Sequence, residues 1–217
     1  MSGTTGLIAI KGNHEDNLEK IFGYFDLVDT KKQWIATNKK ELDEILKKTW
    51  PKLPGDQALR FTWVKDSWTV IDNSDFSLSE SEALKKLTID FQTPVFYLFT
   101  QGTSANYGFG YFDANNAREF HVDNGTVIEN SGTPIAAEAK YPVNENTAYD
   151  QIHGIAKELG IDYEDVLFNF SIDRIIVKLL KNSDKLNEQI ALAAEEYKKL
   201  HPKKEKPEIK TRWWKFW

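Results

Sequence analysis

The 217-residue chain contains no cysteine. That excludes disulfides, thiolate metal sites and cysteine nucleophiles, and it fits a reducing, cytoplasmic compartment. Histidine is scarce at four residues, too few for a rich metal or acid–base site, although one can serve in catalysis. No apolar run approaches the roughly 18–20 residues of a membrane-spanning helix, so a membrane location is not expected. Residues 1–12 carry no basic region and only a short apolar stretch at 7–10, which predicts no secretory signal. No Gly-x-Ser-x-Gly elbow is present for a serine hydrolase. No internal repeat appears, and the one biased segment is the Lys-rich C-terminus.

What the chain does contain is ordinary for a globular protein: 41% hydrophobic and 28% charged residues. The length suits a single domain, expected over 1–202, followed by a basic aromatic tail at 203–217. Charge is distributed unevenly. The formal net charge is -5, yet residues 198–217 hold eight Lys or Arg against two Glu, leaving 20 basic and 31 acidic residues in the rest. Such an acidic body repels nucleic acid and anionic membranes and attracts a basic partner, or the chain's own tail.

Three zones follow along the chain. The lead-in, 1–54, predicts a short strand at 7–10, then a helix through Leu18, Ile21, Phe22 and Phe25. It continues with a short strand at 33–36. A second helix starts near Asn38, with Glu41 as capping-box partner and Pro51 as terminator. The middle zone, 57–138, is strand-rich. Strands are expected at 59–64, 68–71, 94–99, 107–112, 118–122 and 126–128, with a helix capped by Ser79 and Glu82 carrying Leu84 and Leu87 inward. The turns Asp113-Ala114-Asn115-Asn116 and Asp123-Asn124-Gly125 have hairpin chemistry. The last zone, 146–202, is mainly helical. One helix carries Ile152, Ile155, Ala156 and Leu159 and ends at Gly160, and a short helix begins at Asp162. The apolar stretch 173–180 is ambiguous between helix and strand. A final helix over 183–200 spaces Leu186, Ile190, Ala193, Tyr197 and Leu200 to pack on one neighbouring helix. The fold class is therefore α+β: an antiparallel meander of five to seven strands, near 57–130, between N-terminal and C-terminal helices.

Four local signals bear on chemistry. Gly12-Asn13-His14-Glu15 resembles the metal-binding box of calcineurin-like metallophosphoesterases. That family also needs Asp-x-His and Gly-Asp-x-x-Asp upstream and Gly-His-x-His downstream, and none is present. The box reads instead as a strand-to-helix turn capped by Asn13 or Asp16. Residues 155–166 resemble the core of a DNA-binding helix-turn-helix, but the second helix would present Glu164 and Asp165 to phosphates and no Lys or Arg. The Gly-rich segment 102–110 opens a strand and has no Lys, unlike a phosphate-binding loop. Gly108 and Gly110 share one strand face, where the missing side chains admit an aromatic from a neighbour or a partner's backbone. The tail closes on Trp213, Trp214, Phe216 and Trp217, each worth roughly 2–3 kcal/mol when buried. These residues either fold back on the acidic body, dock on a partner, or sit at a membrane surface. His121 and His153 lack recognisable partner spacing, and no cofactor or metal is expected.

Tyr107-Gly-Phe-Gly-Tyr-Phe, then Arg118-Glu-Phe-His-Val, Asn124-Gly125 and Gly132-Thr-Pro134-Ile-Ala-Ala-Glu138 form an ordered pattern. Over these roughly 35 residues the chain resembles bacterial cytoplasmic proteins of the toxin-immunity type. The resemblance implies a non-enzymatic protein-binding role, and an acidic body would suit a basic toxin. Tyr107, Phe109, Tyr111 and Arg118 are the candidate exposed aromatic face, with core packing the alternative role for some of them, and the tail aromatics are the other candidate partner contact. The alternative is a hydrolase with a carboxylate site assembled from distant residues; a helix-turn-helix regulator is third.

Overall fold

The computed structural model describes residues 4–201, apart from 75–77, 79, 102, 162, 164, 165 and 167–169. The predicted tail contacts Trp213, Trp214, Phe216 and Trp217, most of the second helix of the helix-turn-helix pattern, and the Ser79 cap all lie outside those residues.

The chain forms one nine-stranded sheet, larger than the five to seven strands expected, and every pairing in it is antiparallel. In chain order the strands are β1 (Thr4–Lys11), β2 (Leu27–Ala36), β3 (Gln57–Lys65), β4 (Trp68–Asp72), β5 (Val95–Gln101), β6 (Asn106–Phe112), β7 (Ala117–Asp123), β8 (Thr126–Ser131) and β9 (Ile175–Asn182). Their spatial order is β2-β9-β3-β4-β1-β5-β6-β7-β8. Five α-helices are described: α1 (Leu18–Gly23), α2 (Lys39–Thr49), α3 (Ser81–Phe91), α4 (Tyr149–Glu158) and α5 (Asp184–Leu200).

The expected meander over 57–130 is interrupted, because β1 inserts between β4 and β5, and two further differences have identifiable causes. The ambiguous stretch is β9, which inserts between β2 and β3 with Ile175, Ile176, Val177, Leu179 and Leu180 all buried. A strand covered on both faces reads as a continuous apolar run, so period alone cannot separate it from a buried helix. β2 begins six residues before the expected strand. Its middle is broken by a register shift between Asp29 and Gln33, with Lys31 at φ 65°. The polar Lys31 and Lys32 of that bulge hide the strand from a hydrophobic pattern.

The sheet carries a core on each face. On one face, α2 and α4 lay Leu42, Ile152, Ile155 and Ala156 over Leu7, Phe61, Trp63, Phe96, Phe109 and Phe120. On the other, α1 and α3 lay Leu18, Ile21, Phe22, Leu84 and Leu87 over Ile8, Ile10, Tyr97, Phe99 and Phe112. Local chemistry sets the element ends. Asn38 Oδ1 accepts from the Glu41 amide at the start of α2, and Ser183 Oγ accepts from the Leu186 amide at the start of α5. Gly160, at φ 81°, follows α4, while Asn124 and Gly125 turn β7 into β8 with φ 49° and 76°. Helix α5 leaves the body after Leu186: its Ile190, Leu192, Tyr197 and Leu200 are exposed. No helix among the described residues is long and apolar enough to cross a membrane.

Candidate functional site

Strands β6 to β8 present alternating residues to two unlike faces. Tyr107, Phe109 and Tyr111 point under α4, where Phe109 is fully buried and stacks on Phe96. The Tyr107 hydroxyl donates to the Thr147 carbonyl at 2.6 Å. Arg118 is 2% exposed on the same side. Its Nε and Nη2 donate to Glu138 Oε1 and Oε2, each at 2.8 Å, and Nη1 donates to Asn130 Oδ1 and the Ser131 carbonyl. Glu138 Oε1 also accepts from the Ile135 amide at 2.9 Å. Of the residues expected to form an exposed aromatic face, Phe109 and Arg118 are thus buried, while Tyr107 and Tyr111 are half-buried against the same core. Aromatic rings alternating with glycine bury the larger apolar area when they turn inward. The Arg118 and Glu138 of the resemblance pattern are the two halves of one fully hydrogen-bonded latch, which ties the 132–139 segment to β7.

The opposite face is covered by α3 only at its Phe112 end, and a cleft of about 440 Å³ lies beyond that cover. It is lined by Ser81, Tyr97, Phe99, Asn106, Glu119, His121, Ile128 and Glu129. The glycines create its floor. A Cβ at Gly110 would collide with the Tyr97 ring, and one at Gly108 with the Phe99 ring and the Phe120 carbonyl. Their absence lets both rings settle side by side over β6, 6.3 Å apart and within 9° of parallel. The neighbouring aromatic anticipated at these glycines is therefore supplied from β5.

The walls are polar. Ser81, the first residue of α3, donates from Oγ to Glu119 Oε2 at 2.7 Å. Behind this wall Lys85, which lines the neighbouring groove, places Nζ 3.7 Å from Glu119 Oε1 and 3.2 Å from Glu82 Oε1. The bond to Glu82 raises the Lys85 pKa above its ordinary value, Glu119 adding to it against burial. Burial raises the Tyr97 phenol pKa, and Glu119 reinforces this. His121 shares a hydrogen bond between Nε2 and Asn106 Oδ1 at 2.9 Å and meets the Phe99 ring edge-on, with centroids 4.7 Å apart. Burial lowers the His121 pKa, against the opposing pull of Asp123 and Glu129. The fourth wall comes from an irregularity at the sheet edge. Register shifts between His121 and Val122, so that His121 faces Glu129 and Val122 faces Val127. Ile128 is the unpaired residue, and the bulge brings two successive residues, Ile128 and Glu129, to one cleft.

A larger groove of about 840 Å³ lies at the other end of α3, between exposed Ile89 and the 113–116 turn. Its lining is chiefly apolar atoms and turn residues, whereas the smaller cleft gathers convergent polar groups over aromatic rings. Among the described residues no group of three or more His, Asp or Glu is placed to hold a metal ion. The Gly12-Asn13-His14-Glu15 box is structural: Asn13 Oδ1 accepts from the Glu15 amide, and the His14 ring bonds the Lys11 carbonyl and packs edge-on against Phe91. His153 is engaged by the Tyr163 hydroxyl.

The sequence singled out His121 without a partner, and the glycine pair with a neighbouring aromatic or a partner's backbone but no named residue. Ser81, Tyr97, Phe99, Asn106, Glu119 and Glu129 went unrecognised because they come from five elements. No family model matches the chain, and no curated protein or solved structure matches it.

Proposed function

We propose that this protein is a non-catalytic binding module that holds a basic segment of another protein against the cleft face of β5–β8. One observation carries the reading: a cleft with an aromatic floor is walled by Glu119 and Glu129 at the edge of an acidic body. An apolar base with like-charged rim groups favours a complementary cation, by desolvation of the aromatic surface and by Coulomb attraction in a partly shielded site. The role of an immunity protein in the bacterial cytoplasm is one form of this reading, with a basic toxin as partner.

The test is fluorescence anisotropy of the full chain with three labelled ten-residue peptides, one basic, one neutral and one acidic. The basic peptide is expected to bind, and to bind more weakly as salt rises. Replacing Glu119 and Glu129 together by Gln is expected to weaken binding by about tenfold or more. The same charge change at Glu188 and Glu195, exposed on α5, is the control and is expected to have little effect. Equal binding of the acidic peptide, or equal effects of the two double variants, overturns the reading.

A further inference from the structure

We propose that the cleft is a guanidinium pocket, that an arginine side chain of the partner enters it, and that Lys85 is the internal cation this side chain displaces. The inference rests on the binding reading above and names its anchor.

Three observations converge. The first is shape. Tyr97 and Phe99 lie within 9° of parallel and, although each is less than a tenth exposed, both line the cleft. A planar, weakly hydrated guanidinium stacks on such rings, whereas a compact, strongly hydrated ammonium gains less from them. The second is charge. Glu119 from β7 and Glu129 from β8 supply acceptor oxygens on the cleft walls, suiting a group with five donors in a fixed fork. The third is the present partner of Glu119. Ser81 donates to Oε2 and the Tyr97 phenol bonds the same carboxylate, but the cation beside Oε1 is the Lys85 ammonium at 3.7 Å, longer than a charged hydrogen bond. Lys85 keeps Glu82 as its nearer partner, at 3.2 Å. Lys85 can therefore leave Glu119 without losing every anion, and an incoming cation exchanges a loose ion pair for a tight one. His121, held toward the neutral form, adds no competing positive charge at neutral pH.

The arrangement makes an asymmetric forecast. Removing an acceptor weakens binding, and removing the internal competitor strengthens it. The probes are Nα-acetyl-arginine methylamide, its uncharged citrulline analogue, and Nα-acetyl-lysine methylamide. They are titrated into the full chain while the Asn106, His121 and Glu129 amides are followed by NMR. The arginine probe is expected to shift these three resonances, and the citrulline probe to leave them in place. The lysine probe is expected to bind several-fold more weakly than arginine. Glu129→Gln is expected to weaken arginine binding about tenfold, and Lys85→Met to tighten it about threefold or more. Both positions are solvent-accessible, and the gain expected of Lys85→Met cannot arise from a damaged fold. Equal shifts with citrulline, equal affinity for lysine, or a Lys85→Met variant no tighter than the parent overturns the inference. The basic peptide is run in parallel. If it binds while the arginine probe leaves the cleft unmoved, the anchor is wrong and the binding reading survives; if neither binds, both fall.

Discussion

One face of β6–β8 is closed and the other is closed only at Phe112 and otherwise holds a cleft, although the two alternate residue by residue along the same strands. The closed face holds Phe109, Phe120 and the Arg118–Glu138 latch beneath α4. The cleft face holds two glycines, two neighbouring rings and a wall of titratable groups. The difference teaches that the residues easiest to notice in this segment, its aromatics and its arginine, maintain the fold. The less conspicuous alternation of Gly, Glu and His shapes the cleft.

Substitutions can break this contrast at either face. The largest effect is expected at the latch. Arg118→Met leaves Glu138 buried without its cation, and its cost is expected to be about 3–5 kcal/mol in equilibrium denaturation. A loss below about 1 kcal/mol would show that the closed face is not held by that pair. Next comes the floor of the cleft. Gly110→Ala forces the Tyr97 ring to move, and overpacking of this kind costs about 1–3 kcal/mol. The same variant is expected to lose peptide binding, so it alone joins the two properties. Third is pH. The His121 pKa is lowered in the folded state, so folding releases a proton and the related stability is full above the imidazole's ordinary value. It is lost as pH falls from about 6.5 toward the folded-state value. The difference in Tm between the parent and His121→Asn is expected to change sign-consistently across that window, with the parent losing more on acidification. A flat difference would show that the partial burial of His121 in the cleft wall does not lower its pKa. The smallest effect is expected beyond the cleft, at Ile190→Ser on the exposed length of α5. Stability there is expected to stay within about 0.5 kcal/mol of the parent.

Much of the architecture was legible in the sequence because it depends on near neighbours. Asn38 with Glu41, Gly160 after a helical stripe, and Asn124-Gly125 between alternating runs each act over a few residues. Pairing partners were less legible. β9 bonds β2 and β3 across long separations, and nothing local in Ile175 to Leu180 distinguishes a two-face-buried strand from a buried helix. Orientation was least legible. The Tyr-Gly-Phe-Gly-Tyr-Phe alternation of β6 announces a strand with two faces, but the choice of inner face depends on α4, some forty residues later. The cleft inherits both difficulties. It also depends on a one-residue bulge at Ile128, which no composition or period records.

The position of β9 also has a consequence in time. A ribosome making this chain releases β2 long before it releases β9, the strand that β2 pairs with, because residues 37–174 must be made in between. At roughly 5–20 residues per second, that interval lasts on the order of ten seconds. During it, β1 and β4–β8 can assemble as a contiguous set, while β2 has no strand to bond and β3 has β4 alone. Nascent chains are therefore expected to expose Leu27 and Ala36 of β2, and the β9-facing edge of β3, to chaperones and to one another until β9 arrives.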